Sequence, residues 1–259
     1  MFAAAGIGAD VFGKARVDTN GPSIDMAKME ESIAGTATFW YSFNHDDGDN
    51  EYDLCSSNIT ASMGDGAAQP SFVNQGALRY RNYSGAQNII VGDASVFSPT
   101  SMTFSAAVNL DEHNATYQLV ASKYGASGAL EWWFQVWGKD DGSYPRKMSI
   151  VLTDPTAANY TLIATQQDFP TNEWIHCGFV WSGGTSLSIY TNGILAPTVT
   201  GGSGSFTALT DTTAPLMIGN RLDGNGGWSG CIDDTAWWPR PLSAAAIGEL
   251  SDTTLRDKQ

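Results

Sequence analysis

Four side chains on one short stretch carry the most chemistry in this sequence. Across residues 130–137, Glu131, Trp133, Gln135 and Trp137 alternate with Leu130, Trp132, Phe134 and Val136. Successive side chains on an extended strand point to opposite faces, so one face here is wholly apolar and the other mixes two tryptophans with an acid and an amide. Sugar rings present apolar C–H faces that stack on tryptophan, and neighbouring polar groups read their hydroxyls. Glu131, Trp133, Gln135 and Trp137 are therefore the candidate glycan-binding platform. The competing use of such a face is burial under loops or a neighbouring subunit. Two acidic groups are the next candidates: the adjacent pair Asp233-Asp234, and the run Asp46-Asp47-Gly48-Asp49-Asn50. Calcium takes six to eight oxygens from carboxylates, amides and main-chain carbonyls on loops, and a solvated acidic turn is the alternative for either group.

Signatures of catalysis are missing. His45, His113 and His176 are scattered and form no H-E-x-x-H pair for zinc. Gly227-Trp-Ser-Gly-Cys231 fails the G-x-S-x-G elbow at its last position, and no phosphate-binding glycine pattern is complete. Cys55, Cys177 and Cys231 make no C-x-x-C unit, and their odd number argues against a full disulfide framework. Pairing of Cys55 with Cys231 stays open. No catalytic residue is assigned.

The chain has 259 residues, of which 42% are hydrophobic and 15% charged, and its net charge is −14. Nucleic-acid binding relies on clustered cations, so this balance argues against such a partner. The start, Met-Phe-Ala-Ala-Ala-Gly-Ile-Gly-Ala-Asp, lacks the basic and apolar segments of a secretory signal, and no run is long and apolar enough for a membrane helix. No membrane insertion is expected.

These residues need strands to position them. Period-two alternation appears at residues 36–44 (Phe39, Tyr41 and Phe43 together) and most clearly at 101–110. Further strands are expected at 118–123, 130–137, 147–153, 159–165, 173–181 and 186–191, with Asn192-Gly193 as a two-residue hairpin turn. Near the end, residues 214–238 read as strand, glycine-rich hairpin, strand. There Gly224, Gly226 and Gly227 supply positive φ; Ile232, Ala236 and Trp238 share one face, and Cys231, Asp233, Thr235 and Trp237 the other. Ser243 caps a helix over 244–250. Frequent strands with no helical pattern between them predict an all-β, two-sheet antiparallel sandwich. Residues 1–35 read as an N-terminal arm with a short helix at 24–34, preceding a sandwich over 36–259.

Several segments carry a resemblance, in order. "ATFWYSFN…YDLCSSN", "FSPTSMTFSAAVNL", "NEWIHCGFVWSGGTSLSIYTNGILA" and "PLMIGNR…GWSGCIDDTAWWPRPLS…IGEL" are similar to the strands of laminin G-like, or concanavalin A-like lectin/glucanase, jelly-roll domains. The resemblance implies a jelly roll followed by a short C-terminal helix. It also implies a structural Ca²⁺ between the acidic loop after the opening strand and the G-x-I-D-D strand, with Asn44, Asp53, Asp233 and Asp234 as its ligands. Glucanases of this fold carry E-x-D-x-E or E-x-D-x-x-E; Glu51-Tyr-Asp53-Leu-Cys-Ser56 places serine at the second glutamate, which argues against a hydrolase. The expectation is a non-catalytic surface recognition or adhesion module that binds a glycan or cell-surface polysaccharide. It is displayed on a phage virion as a decoration, fibre or spike protein, with residues 1–35 meeting other virion subunits. A purely structural shell protein and an extracellular bacterial lectin or glycan-active enzyme are the alternatives.

Overall fold

The computed structural model describes residues 37–42, 50–52, 59–63, 69–75, 78–125, 129–155, 157–204, 206–256 and 258. The arm and helix expected within residues 1–35 lie outside them. In chain order the first strands are β1 (Phe39–Tyr41), β2 (Asn50–Tyr52), β3 (Thr60–Met63), β4 (Ser71–Gln75), β5 (Leu78–Ser84) and β6 (Ile89–Gly92). A 3₁₀ turn at Ser95–Phe97 leads into β7 (Met102–Leu110), β8 (Gln118–Tyr124), β9 (Leu130–Val136), β10 (Lys147–Thr153) and β11 (Tyr160–Asp168). The remainder are β12 (Trp174–Trp181), β13 (Leu187–Thr191), β14 (Ile194–Leu195), β15 (Thr198–Ser203), β16 (Leu216–Ile218), β17 (Ser229–Trp238) and helix α1 (Ala244–Leu255).

The strands form two antiparallel sheets. One runs β14-β13-β12-β7-β17-β5-β4, with β1 also paired to β17; the other runs β15-β11-β10-β9-β8-β16-β6-β3-β2. The chain crosses between the sheets repeatedly, as at β6–β7, β7–β8, β11–β12, β14–β15 and β16–β17. The alternating faces read from the sequence meet between the sheets: Phe104, Ala106 and Val108 of β7 pack with Trp132, Phe134 and Val136 of β9. Trp132 stacks on Trp237 at 5.4 Å between ring centroids, and Phe104 stacks on Phe179 at 6.1 Å.

Four local expectations are corrected. The glycine-rich stretch after β16 is not a hairpin, because β16 and β17 belong to different sheets; it is a crossover between them. Gly224 and Gly226 do hold positive φ, at 74° and 87°, but Gly227 is needed for space, since a Cβ there would fall on the Gly85 carbonyl. Strict alternation also fails along β17. Its pairing with β7 shifts between Asp233 and Ala236, and Asp234 takes a left-handed φ of 48°. A bulge inserts a residue and re-aims the side chains beyond it. Ile232 and Trp237 consequently both reach the inter-sheet core, while Ala236 and Trp238 turn outward. Finally, α1 continues past residue 250 to Leu255. Its Ser243 cap accepts from the Ala246 N–H at 3.2 Å.

The outer faces of the two sheets are treated differently. On the eight-stranded sheet, Trp40, Val180, Tyr190 and Trp238 are sealed by Leu242, just before α1, and by Ile247 and Leu250 of α1. On the nine-stranded sheet no helix among the described residues covers the outer face. A smaller cluster there joins Val151, Leu162 and Ala164 to partly buried Trp133, Trp137, Tyr144 and Tyr160.

Candidate functional site

The aromatic face expected on β9 is present on the outer side of the nine-stranded sheet. Register fixes its rows: Trp133 lies opposite Val151, which lies opposite Leu162, and Gln135 lies opposite Ser149, which lies opposite Ala164. Trp133 and Trp137 are each partly exposed. Each is also buttressed by tyrosines that strand alternation on β9 could not reveal. Tyr124 meets Trp133 edge-on at 5.3 Å, Tyr117 meets Trp137 edge-on at 6.3 Å, and Tyr144 lies tilted against Trp137 at 5.9 Å. The guanidinium of Arg221 sits over the rings of Tyr124 (4.3 Å) and Tyr117 (5.0 Å), held by Asp223 at 2.6 Å. Arg221 belongs to the glycine-rich crossover, which therefore borders the aromatic band. A Cβ at Gly226 would strike Tyr117 at 2.6 Å, so the crossover approaches this closely only because that residue is glycine. The available signal for Tyr124 was its place at the end of β8, two residues beyond Ser122, which is registered opposite Trp133.

Glu131 is a correction. It does not stand beside the tryptophans as a reader of hydroxyls; it is fully buried. Its Oε1 accepts from Lys123 Nζ (2.5 Å), Thr212 N (2.9 Å) and Thr212 Oγ1 (2.7 Å), and its Oε2 from Ser98 Oγ (2.6 Å). The β8–β9 register shifts between Lys123 and Tyr124, so simple alternation does not carry to this end of the strand. Lys123 is itself buried, with Asp93 at 3.1 Å and Asp211 at 3.9 Å. The cluster ties two loops to the sheet. A carboxylate this enclosed is unavailable as a general acid or nucleophile. Gln135 is also buried, yet its Nε2 has no hydrogen-bond partner, nor has Oγ of Ser149 across the strand pair, nor Nε1 of Trp137.

Asn44 and Asp53, and the run at Asp46, Asp47 and Asp49, lie outside the described residues, as does Cys55. Asp233 and Asp234 are brought together by the bulge, but the cation between them is Lys258. Its ammonium lies 3.1 Å from Asp233 Oδ2 and 2.6 Å from Asp234 Oδ2, donates to the Thr254 carbonyl at 3.1 Å, and sits 5.5 Å above the Trp174 ring. Burial, and then the neighbouring Asp234 charge, push the Asp233 carboxyl well above the usual carboxylate range, while Lys258 opposes them. An ammonium ligates no metal, and calcium needs more oxygens than this pair provides. With Lys258 seated, the described residues do not fit a calcium ion, and among them no group of three or more histidine, cysteine, aspartate or glutamate side chains is placed to hold one. Nearby, His176 is wholly buried with Nε2 2.8 Å from Ser105 Oγ, and burial holds it down at about 3. This serine–histidine contact is closed to solvent and serves packing.

A laminin G-type family model, described as the concanavalin A-like lectin/glucanases superfamily, matches residues 83–248. The chain belongs to that superfamily. The matched span runs from the end of β5 into α1, so it includes the aromatic band and the Asp233-Asp234 bulge. No curated protein matches the sequence. Among solved structures, domain 4 of an extracellular arabinanase from Geobacillus stearothermophilus, crystallised with arabinotriose, is similar at TM-score 0.59 and 14% identity, covering 83% of this chain and 98% of that one. The binding domain of a paraclostridial mosquitocidal protein is similar at TM-score 0.62 and 14% identity, over 85% of this chain and 53% of that one. The sialidase of Trypanosoma rangeli, crystallised with an inhibitor, follows at TM-score 0.58 and 14% identity, over 82% and 32%. Identities this low establish the shared jelly-roll fold, which carries both binding modules and parts of enzymes. No helix among the described residues is long and apolar enough to cross a membrane.

Proposed function

We propose that this protein is a non-catalytic recognition module that binds glycan on the outer face of its nine-stranded sheet. The observation that carries the reading is the partly exposed band of Trp133 and Trp137, buttressed by Tyr117, Tyr124 and Tyr144 and left open where the opposite sheet is closed by α1. Rigid, well-supported aromatic rings suit stacking on sugar C–H faces, because little side-chain freedom is lost on binding. The non-catalytic assignment rests on Glu131, the one carboxylate on β9, being consumed by Lys123. It rests equally on the Ser56 that interrupts the paired-carboxylate motif. The similarity in fold to a domain crystallised with arabinotriose agrees with this reading. As to setting, the run of small residues in the N-terminal sequence suits docking onto a larger particle such as a phage virion, with the band facing outward.

The test is a glycan array on the full chain, with affinities of the hits measured by calorimetry. Trp133→Ala and Trp137→Ala are each expected to weaken binding about tenfold or more, which is about 1.4 kcal/mol, with far-UV circular dichroism unchanged. Unchanged affinity in both folded variants would remove the band as the binding surface.

A further inference from the structure

Resting on that reading, we infer that Tyr144 closes a gated subsite for the hydroxyl-bearing edge of a neutral sugar ring. The floor of the subsite is the cross-strand pair Gln135–Ser149. Both side chains are essentially inaccessible, at 1% and 0% exposure. The register sets them directly opposite one another. Even so, Gln135 Nε2 and Ser149 Oγ bond neither to each other nor to any other group. Trp137 Nε1, two residues along the same face, is in the same condition. Buried donors without acceptors are uncommon in folded proteins because each forfeits its hydrogen bonds to water. Three on one sheet face, beside a band suited to sugars, are a polar pattern waiting for a polar partner.

Tyr144 is what covers them. Its ring rests against Trp137, just past the end of β9, while its hydroxyl lies where a Gly201 side chain would begin, on β15, three strands from β9. Neighbouring strands are about 4.8 Å apart. A ring that also packs with Val151, Leu162 and Ala164 between those two flanks therefore lies across the Ser149–Ala164 pair. The surface beneath is small, lined by Ser149, Ala164 and Gly201, so withdrawal of the ring leaves a depression and not another side chain. The loop that bears Tyr144 is held from its own side. Asp141 Oδ1 accepts from the Ser143 and Tyr144 N–H groups at 2.8 and 2.6 Å, and Lys139 N donates to the Asn114 carbonyl at 2.8 Å. Rotation of the tyrosine side chain therefore opens the floor without unfolding the loop.

The chemistry of the floor selects the ligand class. Two N–H donors and one hydroxyl match hydroxyl and ring oxygens of a sugar. No charged group belongs to the floor, and the nearby cations Arg146 and Lys147 are already engaged by Asp168. A neutral ring fits, and an acidic one has no counter-charge there.

The experiment compares wild-type full-length protein with Gln135→Met/Ser149→Ala and Tyr144→Ala. The probes are neutral arabino-, gluco- and galacto-oligosaccharides, with a sialylated trisaccharide as the acidic comparison. Calorimetry is read alongside melting temperature and the Trp indole N–H resonances. The expected result is binding of a neutral probe that shifts the Trp137 indole N–H. The double variant binds it fivefold or more weakly while melting no lower than wild type, since it removes unpartnered buried polar atoms. Tyr144→Ala, which removes both the cover and a support of Trp137, changes the affinity but still shows the Trp137 indole shift with the neutral probe, and loss of that shift overturns the gate. A Trp133 shift with no Trp137 shift and undiminished binding by the double variant would overturn the subsite and leave the aromatic band standing. A lower melting temperature in the double variant assigns Gln135 and Ser149 a structural water and overturns the subsite too. Preference for the acidic probe overturns the ligand class. Absence of binding by every probe overturns both the subsite and the band.

Discussion

Replacing Lys258 by methionine tests whether the Asp233-Asp234 pair is built around an internal ammonium. The lysine side chain is 6% exposed and the two aspartates 1% and 2%. Its removal leaves two carboxylates buried at a bulge with no cation, the case in which breaking a buried ion pair costs about 3–5 kcal/mol. The lower end applies, because burial and its acidic neighbour push the Asp233 carboxyl upward, so that it can relieve the repulsion by taking a proton. At about 2–4 °C per kcal/mol for a chain of this size, a loss of about 3 kcal/mol lowers the melting temperature by about 6–12 °C at pH 7.5. The pH dependence follows from the sign of the shift. A carboxyl whose folded pKa lies above its unfolded one binds its proton first in the folded state, so acidification favours folding at that group. Without Lys258 to oppose it this effect grows, and the gap between variant and wild type narrows as pH falls from 7.5 towards 5. Differential scanning fluorimetry across that range measures both quantities. Calcium separates the two identities of the cation: added Ca²⁺ is expected to leave wild-type melting unchanged. A melting difference under about 2 °C at pH 7.5, a gap that stays constant down to pH 5, or a calcium-dependent rise in the wild type would refute the reasoning.

Two further outcomes follow from the face under α1. His176 is held neutral at about 3 against an ordinary 6.5. A depressed histidine binds protons only in the unfolded state between those values, so stability falls as pH drops through that window, by about 2 kcal/mol at pH 5; His176→Gln should flatten this loss in urea midpoints compared at pH 7 and 5. Gly193 closes the β13–β14 hairpin with φ 76°, and a Cβ there would approach Gly248 Cα at 3.0 Å and Ser251 Cβ at 3.2 Å. Gly193→Ala should therefore cost about 1–2 kcal/mol, and an unchanged urea midpoint would show that the turn and α1 give way freely.

What the sequence disclosed and what it hid divide along physical lines. Strands such as β7 and β10 were legible to within a residue or two, because large apolar side chains recur at every second position along them. Asn192-Gly193 was legible because both residues must take positive φ, at 48° and 76°, and few other pairs do so cheaply. Glu131 and the run Asp233–Trp238 were misread for one reason: each lies where register slips, and a slip of one residue reverses every face assignment beyond it. The crossover after β16 was misread for another. Glycines needed for close approach, such as Gly226 against Tyr117 and Gly227 against Gly85, look in sequence like glycines needed for a tight turn.

The candidate site was half legible for a reason that bears on its function. Trp133 on β9, Trp137 just past its end, and Trp40 and Trp238 on β1 and β17 are all outward tryptophans, and the strands themselves do not say what covers them. Coverage is decided by the segments that follow the strands. After β17 the chain has a capped helix whose Ile247 and Leu250 seal Trp40 and Trp238. After β9 it has only a short loop bearing Tyr144, which spans part of the band and leaves Trp133 and Trp137 partly exposed. A fold needing both outer faces closed for stability alone has no use for that asymmetry. It leaves apolar surface of Trp133 and Trp137 in water on one sheet, a cost that the stacking proposed for these rings would offset.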